Sequence, residues 1–466
     1  MSRGRLVVHA HFYQPSRTDP FSGQVPADPS AAPAHDWNAR VSAECYRPNA
    51  ELGNLGHISW DLGPTLAGWM RDSDPVAYAG FVAGDQGVNG MAQAYHHSIL
   101  PLASAADRRT EIRWGLRDFE ARFGRVADGM WLPETAVDLA TLHVLAEHGV
   151  RHTILAPWQV ADVGVETRRP YRVELGDGRH IVVALYDAGL SGAVSFETAM
   201  TADADHFTKA RLNPRFAQPL PGAAPPVVVI ATDGELYGHH QTFRDLFLKR
   251  LVQPGPHEIG RTFTVSTLSE ALREPAGRPF EPIRIAERTS WSCHHGLLRW
   301  TAACPCVKEG GWKGPLRSAL ERLAGGIDTQ TERLAAALPG QPDPWAARDA
   351  YVDVLVAAEG AGAFADRWLG GRGSPDDGRI LLDLMEVQRW RLAMFASDAW
   401  FWDDPVRVET MNALRAAAWA ARRIDSLAGS SLERRLVADL ALLSSPDELI
   451  DGAQIYRRAL AQVGQP

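Results

Sequence analysis

Two acidic side chains follow short apolar segments, and together they suit the cleavage of a glycosidic bond. Glu134 ends the segment Trp-Leu-Pro-Glu at 131–134, and Asp233 begins Asp-Gly-Glu after the apolar run 227–231. Glycoside hydrolysis needs one carboxylate that attacks or activates water and one carboxyl group that keeps a proton for the leaving oxygen. Alone, Glu134 also fits a helix N-terminus and Asp233 an Asp-Gly turn. Their pairing favours catalysis.

Polar residues recur at the ends of predicted strands, where parallel α/β barrels carry their functional groups. Four segments have this property: 9–15, 130–135, 231–240 and 289–296. They supply the candidate substrate-binding residues His9, His11, Gln14, Trp131, His239 and Trp291. Trp291 could stack on a sugar ring or pack in the core, and its place in a polar loop favours the sugar. Glu235 would share a face with Asp233 along an extended chain, but Gly234 between them indicates a turn.

The elements that must position these residues divide near residue 310. Before it, apolar runs alternate with helical patterns, which is typical of βα units. Strands are predicted at 5–10, 129–131, 152–155, 180–185, 227–231 and 262–265. Helices are predicted between them at 66–71, 107–123, 139–148, 244–251 and 267–272. The proline-rich stretch 213–226 is predicted to be a loop.

After residue 312 the sequence has only helical patterns. They span 316–338, 345–369, 379–399, 406–427 and 432–443. The prediction is therefore an α/β fold, with a (β/α) barrel catalytic domain at 1–310 and a helical domain at 311–466.

Composition excludes several classes of partner. The net charge of −8 argues against nucleic acid or an anionic membrane as the main partner. The N-terminal apolar run is too short for a signal peptide, and no stretch is long enough to span a bilayer, so we expect a cytoplasmic protein. The sequence does not indicate an oligomeric state.

Several of these segments resemble the characteristic regions of glycoside hydrolase family 57, which holds α-amylases, 4-α-glucanotransferases and glycogen-branching enzymes. Residues 9–15 are similar to the first region, a His-x-His stretch that closes on Gln-Pro. Residues 131–134 resemble the third region, whose Glu is the nucleophile. Residues 232–235 resemble the fourth, whose Asp is the acid/base. Residues 394–400 are similar to the fifth region.

The resemblance implies a retaining enzyme that acts on an α-glucan or a related oligosaccharide or polysaccharide. It implies a seven-stranded (β/α) barrel whose cleft is completed by the helical domain, with no catalytic metal and no cofactor. Glu134 would be the nucleophile and Asp233 the acid/base. His11 and Trp131 would line the site beside Glu134. By the same resemblance, Asp398 and Trp400 would reach the substrate from the helices.

Two departures from the family pattern indicate a divergent branch. Typical members carry a Glu near a Gly in the second region, where this chain has residues 88–97. Either Gln93 replaces that Glu or the substrate contact differs. The first region also has extra residues between His11 and Gln14. Segments 36–38, 44–49 and 59–66 resemble an uncharacterised group of the family.

Two other functions remain open at this stage. His9 and His11 could belong to a metal-dependent hydrolase or deacetylase, with Asp233, His239 and His240 completing the site. The chain could also be a non-catalytic carbohydrate-binding protein on a barrel that has lost activity.

The cysteines form a separate question. Cys293, Cys304 and Cys306 lie near His294 and His295, but their spacing is not a standard zinc pattern. A structural zinc site, a labile disulfide and three reduced thiols all remain possible. The sequence therefore assigns no metal site.

Overall fold

The fold is described from a computed structural model that covers residues 4–218, 220, 225–253, 255, 261–273 and 279–461. Contacts divide the chain into two compact units. The barrel unit comprises residues 1–14, 28–94 and 122–291, and the helical unit comprises 15–27, 95–121 and 292–466. Three segments that the sequence placed in the barrel domain, 15–27, 95–121 and 292–310, therefore group with the helices. The division of the chain into domains 1–310 and 311–466 stays a prediction.

The barrel unit is organised around parallel strands. The described strands are β1 (Gly4–Phe12), β2 (Ser59–Leu62), β3 (Gly90–Gln93), β4 (Met130–Trp131), β5 (His152–Leu155), β6 (Tyr171–Glu174), β7 (His180–Leu185), β8 (Val227–Asp233) and β9 (Phe263–Val265). One sheet has the order β4-β3-β2-β1-β8, with β9 paired to the start of β1. A second sheet has the order β5-β7-β6, in which β6 is antiparallel to β7.

Two local contacts join these sheets into a ring. Gly129, just before β4, forms a parallel bridge with His152 at the start of β5. The Asp187 N–H, just after β7, donates to the Val229 oxygen of β8 at 2.8 Å. A Cβ on Gly129 would lie 2.3 Å from the His152 ring, so this approach requires glycine. Seven described parallel strands thus follow one another as β1, β2, β3, β4, β5, β7 and β8, which confirms the predicted fold class.

Side chains of the ring alternate between its inner and outer faces, as the strand period of two requires. Val7, Val229 and Ala231 pack in the inner cluster, whereas Val8 and Ile230 pack in the outer one. The odd positions of β1 and β8 therefore face the interior. His9 and His11 of β1 and Asp233 of β8, which the sequence singled out, occupy the last odd positions of these strands.

Helices are found in both units. Up to residue 271 the α-helices are α1 (Trp37–Val41), α2 (Arg47–Glu51), α3 (Pro64–Ser73), α4 (Pro75–Gly84), α5 (Ala105–Phe123), α6 (Leu139–Glu147), α7 (Ala188–Phe196), α8 (Ala204–Phe207), α9 (Asn213–Ala217), α10 (Arg244–Val252) and α11 (Leu268–Ala271). The later ones are α12 (Lys313–Ala337), α13 (Pro344–Ala350), α14 (Val352–Leu355), α15 (Ala361–Trp368), α16 (Pro375–Ala393), α17 (Val408–Ala428), α18 (Leu432–Leu440) and α19 (Gly452–Ala461). No helix among the described residues has both the length and the apolar character that a bilayer crossing needs.

Three predicted elements need correction. The single helix predicted at 345–369 is wrong, because Ala357 has a left-handed backbone (φ 57°) and the chain forms α13, α14 and α15 instead. The helix predicted at 379–399 ends at Ala393, before a 3-10 turn at Ser397–Trp400. The loop predicted at 213–226 begins as α9, where Pro214 occupies a first-turn position that tolerates it. Positions 219 and 221–224 of that loop lie outside the described residues.

A buried ionic network lies within the helical unit. The Asp107 carboxylate of α5 accepts hydrogen bonds from Arg348 at 2.8 Å and from Arg391 at 2.5 Å. Arg391 also pairs with Asp328 at 2.6 Å. Both arginine side chains are almost fully buried, so Asp107 compensates charges that water does not reach.

The substitution Asp107→Asn should lower the free energy of unfolding by about 3–5 kcal/mol, because it leaves two buried guanidinium groups short of a counter-charge. Denaturant unfolding followed by circular dichroism measures this loss. The control Asp376→Asn removes one partner of a largely exposed pair with Arg379 and should have little effect. Equal losses in the two variants would contradict this account of the network.

Candidate active site

A buried carboxylate holds two histidines at the carboxyl end of β1. Asp61 of β2 accepts a hydrogen bond from His9 Nε2 at 2.9 Å and one from His11 Nδ1 at 2.8 Å. All three residues are buried. The strand register pairs His11 with Asp61 on one side and with Asp233 of β8 on the other. Neighbouring residues of parallel strands share a face, so His11 lies between two carboxyl groups.

The Asp61–His11 pair is charged at neutral pH. Burial acts to raise the pKa of Asp61, but the charge of His11 and the hydrogen bonds of both imidazoles lower it to about 2. Burial acts to lower the pKa of His11, but the charge and hydrogen bond of Asp61 raise it to about 9. Asp233 and Glu235 contribute to the same rise. His9 differs, because burial lowers its pKa and leaves the ring neutral.

Asp233 keeps a proton more readily than an ordinary aspartate. Its side chain is accessible to solvent, yet the protein atoms around it desolvate the carboxyl group. Desolvation raises the Asp233 pKa to about 6, the charge of His11 opposes this rise, and the charges of Glu134 and Asp61 add to it. The two candidate catalytic carboxyl groups, Glu134 and Asp233, therefore act on each other electrostatically.

Glu134 lies on a strained turn immediately after β4. Glu134 and Thr135 both have left-handed backbones, with φ of 57° and 47°. Such conformations cost about 1–3 kcal/mol each for residues with a side chain, and they cluster at functional sites. Gln159 stabilises the turn, because its Oε1 accepts from Thr135 Oγ1 and its Nε2 donates to the Thr135 oxygen, both at 2.8 Å. Gln159 is fully buried, so the turn is held from inside the protein.

Aromatic rings connect Glu134 to the histidines. The Trp291 indole N–H donates to Glu134 Oε2 at 3.1 Å, and the Trp291 backbone N–H donates to the Glu134 oxygen at 3.0 Å. Trp291 packs edge-on against Trp131 at 4.9 Å between ring centroids. Trp131 in turn stacks on His9 at 5.0 Å and on His11 at 4.8 Å. The orientation of the Glu134 carboxylate is thereby fixed relative to the imidazoles.

The turn after β8 carries a second, buried carboxyl group. Glu235 accepts a hydrogen bond from the Tyr46 hydroxyl at 2.6 Å. Burial raises the Glu235 pKa to about 7, and the charge of Asp233 adds to the rise. A Cβ on Gly234 would lie 2.3 Å from the Phe12 ring, so the turn can pack against β1 only with glycine there. Glu235 is therefore packed beneath the turn, whereas Asp233 is accessible.

Other predicted residues of the barrel unit extend this group. Gln93 Nε2 donates to Asp61 Oδ2, so Gln93 joins the histidines as part of one hydrogen-bonded cluster. The Gln14 side chain hydrogen-bonds to the Tyr46 hydroxyl that also contacts Glu235. His239 contacts Glu44 through Nδ1 and is partly exposed.

Two predicted residues belong to the helical unit. Asp398 and Trp400 lie in the 3-10 turn Ser397–Trp400. Trp400 is fully buried, and its indole N–H donates to the Lys313 oxygen at 3.2 Å. Asp398 is partly buried. Their roles in substrate binding stay predictions.

The histidine pair does not form the metal site that the alternative function requires. His9 Nε2 and His11 Nδ1 are both directed at Asp61. Across the part of the chain that the structure describes, potential ligand atoms converge on a metal-sized space in one group, which lies at Cys293–Cys306. The set of His9, His11, Asp233, His239 and His240 is not such a group.

Three contributors to the site were not predicted from the sequence. Asp61 and Gln159 organise the histidines and the Glu134 turn, and Tyr46 binds Glu235. The only signal for Asp61 was its place in segment 59–66, which the sequence associated with an uncharacterised group. Gln159 lies 24 residues from Thr135, and no spacing rule indicates that contact.

Comparison with known proteins agrees with this geometry. The model described as "Glycosyl hydrolase family 57" matches residues 83–284, a segment that includes Glu134 and Asp233. Residues 83–284 are thus similar to glycosyl hydrolase family 57. This match confirms the resemblance found in the motifs and identifies the chain as an enzyme of the glycoside hydrolase class. The model described as "Domain of unknown function (DUF3536)" matches residues 309–463, in the helical unit.

Several solved structures have a similar fold at low sequence identity. An exo-type maltose-forming amylase from Pyrococcus sp. ST04 is 15% identical with a TM-score of 0.75, over 98% of this chain and 88% of that one. A family 57 branching enzyme from Pyrococcus horikoshii is 16% identical with a TM-score of 0.61, over 98% and 94%. A 4-α-glucanotransferase from Thermococcus litoralis is 14% identical with a TM-score of 0.55, over 90% and 60%. A search of curated protein sequences gives no match.

The ion pair between Asp61 and His11 predicts a specific pH dependence of stability. The His11 pKa rises from 6.5 to about 9 on folding, so this stabilisation is complete below pH 6.5 and is lost as the pH rises through about 9. The difference in unfolding free energy between wild type and Asp61→Asn should therefore shrink from pH 6.5 to pH 9. Denaturant titrations at several pH values measure it.

A matched control is Asp74→Asn, which removes the partner of Arg47 at 2.8 Å. Arginine stays charged over this range, so the effect of Asp74→Asn should not change between the two pH values. A difference for Asp61→Asn that is equally constant would show that His11 is not held as an imidazolium.

Proposed function

We propose that this protein is a retaining α-glycosidase or transglycosidase that acts on an α-glucan or a related oligosaccharide or polysaccharide. Glu134 is the nucleophile and Asp233 is the general acid/base. The observation that carries the proposal is the strand register that places Asp233 at the end of β8 beside His11. Desolvation raises the pKa of this carboxyl group to about 6, and the charge of Glu134 adds to the rise. The names of the amylase, the branching enzyme and the glucanotransferase of similar fold support an α-glucan as the substrate class.

The first chemical step forms a covalent intermediate. The Glu134 carboxylate attacks the anomeric carbon while protonated Asp233 donates its proton to the leaving oxygen. The hydrogen bond from the Trp291 indole to Oε2 fixes the carboxylate for this attack. Holding the nucleophile on a strained turn removes much of the orientational freedom that the reaction would otherwise have to lose. This mechanism requires the two carboxyl groups to lie roughly 5–5.5 Å apart.

In the second step, the loss of the electrostatic coupling between Glu134 and Asp233 lowers the pKa of Asp233. Once Glu134 is esterified it has no negative charge, so it no longer raises the pKa of Asp233. The imidazolium of His11 then favours the ionised form of Asp233. Ionised Asp233 takes a proton from water, which gives hydrolysis, or from a sugar hydroxyl, which gives transfer. Either acceptor attacks from the side that the leaving group vacated, and the anomeric configuration is retained.

The catalytic pair predicts distinct kinetic losses in two variants. With maltooligosaccharides, Glu134→Ala should lose turnover, and Asp233→Ala should lose about 10²–10⁴-fold. Azide should restore reaction in both variants with an activated aryl α-glycoside. In Glu134→Ala it should form a β-glycosyl azide by direct displacement. In Asp233→Ala it should form an α-glycosyl azide from the covalent intermediate.

The comparison variant is Glu235→Gln, which alters the neighbouring carboxyl group but not the proposed acid. It should keep far more activity than Asp233→Ala and should not respond to azide.

Product chromatography with and without added maltose then separates hydrolysis from transfer. Binding of maltooligosaccharides without turnover in the wild type would show a carbohydrate-binding protein and would contradict the proposal.

The raised pKa of Asp233 predicts the alkaline limb of the rate profile. The acid must be protonated in the free enzyme, so kcat/KM should fall as the pH rises through about 6. In Asp233→Asn, whose side chain does not titrate, this limb should be absent from the residual activity. The measurement is kcat/KM for an aryl α-glycoside between pH 4 and 9. The same limb in Asp233→Asn would assign it to another group.

A further inference from the structure

Three cysteines and one histidine of the helical unit point their ligand atoms at one small space. The group comprises Cys293, His295, Cys304 and Cys306, and its ligand atoms all lie within 4.8 Å of one another. The Cys293 sulfur lies 3.5 Å from that of Cys304 and 3.7 Å from that of Cys306. His295 Nδ1 lies 3.2 Å from the Cys306 sulfur and 3.6 Å from the Cys304 sulfur.

These separations match the edges of a zinc coordination tetrahedron. With Zn–S bonds of about 2.3 Å and Zn–N bonds of about 2.0–2.1 Å, a tetrahedron has S···S edges of about 3.8 Å and S···N edges of about 3.5 Å. The two S···N separations, 3.2 and 3.6 Å, lie on either side of that edge length, and the two S···S separations, 3.5 and 3.7 Å, are slightly shorter than theirs. The sulfurs are not joined as a disulfide.

The surroundings of the sulfurs suit thiolates bound to a cation. The backbone N–H groups of His295 and Arg299 hydrogen-bond to the Cys293 sulfur, and the N–H of Cys306 hydrogen-bonds to that of Cys304. Such bonds orient metal-bound thiolates and stabilise their negative charge. The buried Lys313 ammonium interacts electrostatically with Cys293 and Cys304. Its Nζ has no hydrogen-bond partner among the residues that the structure describes.

We propose that Cys293, His295, Cys304 and Cys306 bind one structural zinc ion. Thiolate and imidazole ligands select zinc over magnesium and calcium, which prefer oxygen. Four protein ligands complete the tetrahedron and leave no position for a reactive water, so the site is structural and not catalytic. Three thiolates and Zn²⁺ together carry one negative charge, which the nearby Lys313 ammonium balances.

The site explains how an otherwise irregular segment is ordered. Between Trp291 and α12, the short 3-10 helix Leu298–Trp300 is the only regular element among the described residues. The ligands are two closely spaced pairs, Cys-x-His and Cys-x-Cys, that bracket this helix. Cys293 follows Trp291 by two residues, so the ion would also restrain the chain next to the tryptophan that binds Glu134. Metal binding of this kind contributes directly to the free energy of folding.

The test measures metal directly and does not depend on the catalytic proposal. The full chain is purified without an affinity tag or chelator, and its zinc content is determined by inductively coupled plasma mass spectrometry. We expect one zinc ion per chain in the wild type and a loss of most of it in Cys306→Ser and His295→Ala. The matched controls His294→Ala, the adjacent imidazole, and Cys45→Ser, a buried thiol of the barrel unit, should retain the zinc.

A second measurement applies even if the cysteine variants do not fold. The wild type is unfolded, stripped of metal, and refolded with Co²⁺ in place of zinc. A tetrahedral site with three thiolates should give intense visible d–d bands together with thiolate charge-transfer bands. Zinc that stays bound in His295→Ala and Cys306→Ser would overturn the proposal. So would a wild type that binds neither zinc nor cobalt, or one whose mass after thiol alkylation shows a disulfide among these cysteines.

Discussion

The buried carboxylate of Asp61 bonds to two imidazoles at once, and the geometry of the candidate active site depends on that contact. A charge that water does not solvate is stable in a protein interior only when it is paired and hydrogen-bonded. Asp61 meets this requirement through His9, His11 and Gln93. These bonds set the plane of each ring, and Trp131 stacks on both rings. The planes of the two imidazole rings therefore determine where Trp131 lies. Trp131 in turn packs against Trp291, which donates a hydrogen bond to Glu134.

The same ion pair gives the site its electrostatic character. His11 stays protonated at neutral pH because Asp61 is beside it, and it faces Asp233 on the neighbouring strand. Its positive charge keeps the Asp233 pKa near 6, where both protonation states are within reach. Without that charge, desolvation and the neighbouring carboxylates would raise the Asp233 pKa further. The proposed reaction uses both states of Asp233 in turn, so this balance matters to each half of the cycle.

The strand ends were predictable from sequence where the local pattern is strong. The β-branched run 227–231 indicates a buried parallel strand, and Asp233 follows it. Glu134 follows the brief strand β4 in the same way. By contrast, β2 and β3 were missed, because each has only four residues and carries polar side chains at interior positions. The polar side chains of Asp61 in β2 and Gln93 in β3 find their hydrogen-bond partners through tertiary contacts. A local sequence pattern does not contain such contacts.

Sequence spacing also cannot tell which of two adjacent residues the folded backbone directs at a site. His294 and His295 are indistinguishable by spacing, and only the folded loop directs His295 at the cysteines. The left-handed backbone of Glu134 and Thr135 is a further example. Neither residue type favours that conformation, so it persists because the surrounding contacts, above all those of Gln159, determine it. The sequence thus indicated which residues could react, whereas their supports became visible only in the structure.

The most direct test of the central claim is to trap the covalent intermediate. The wild type is incubated with a 5-fluoro-α-glucosyl fluoride, which forms a glycosyl-enzyme that turns over slowly, and is then digested and analysed by tandem mass spectrometry. The account predicts one added glycosyl group, located on Glu134 and absent when Glu134→Gln is treated in the same way. A label on Asp233 or Glu235, or turnover of the reagent without any adduct and with inversion at the anomeric carbon, would contradict it.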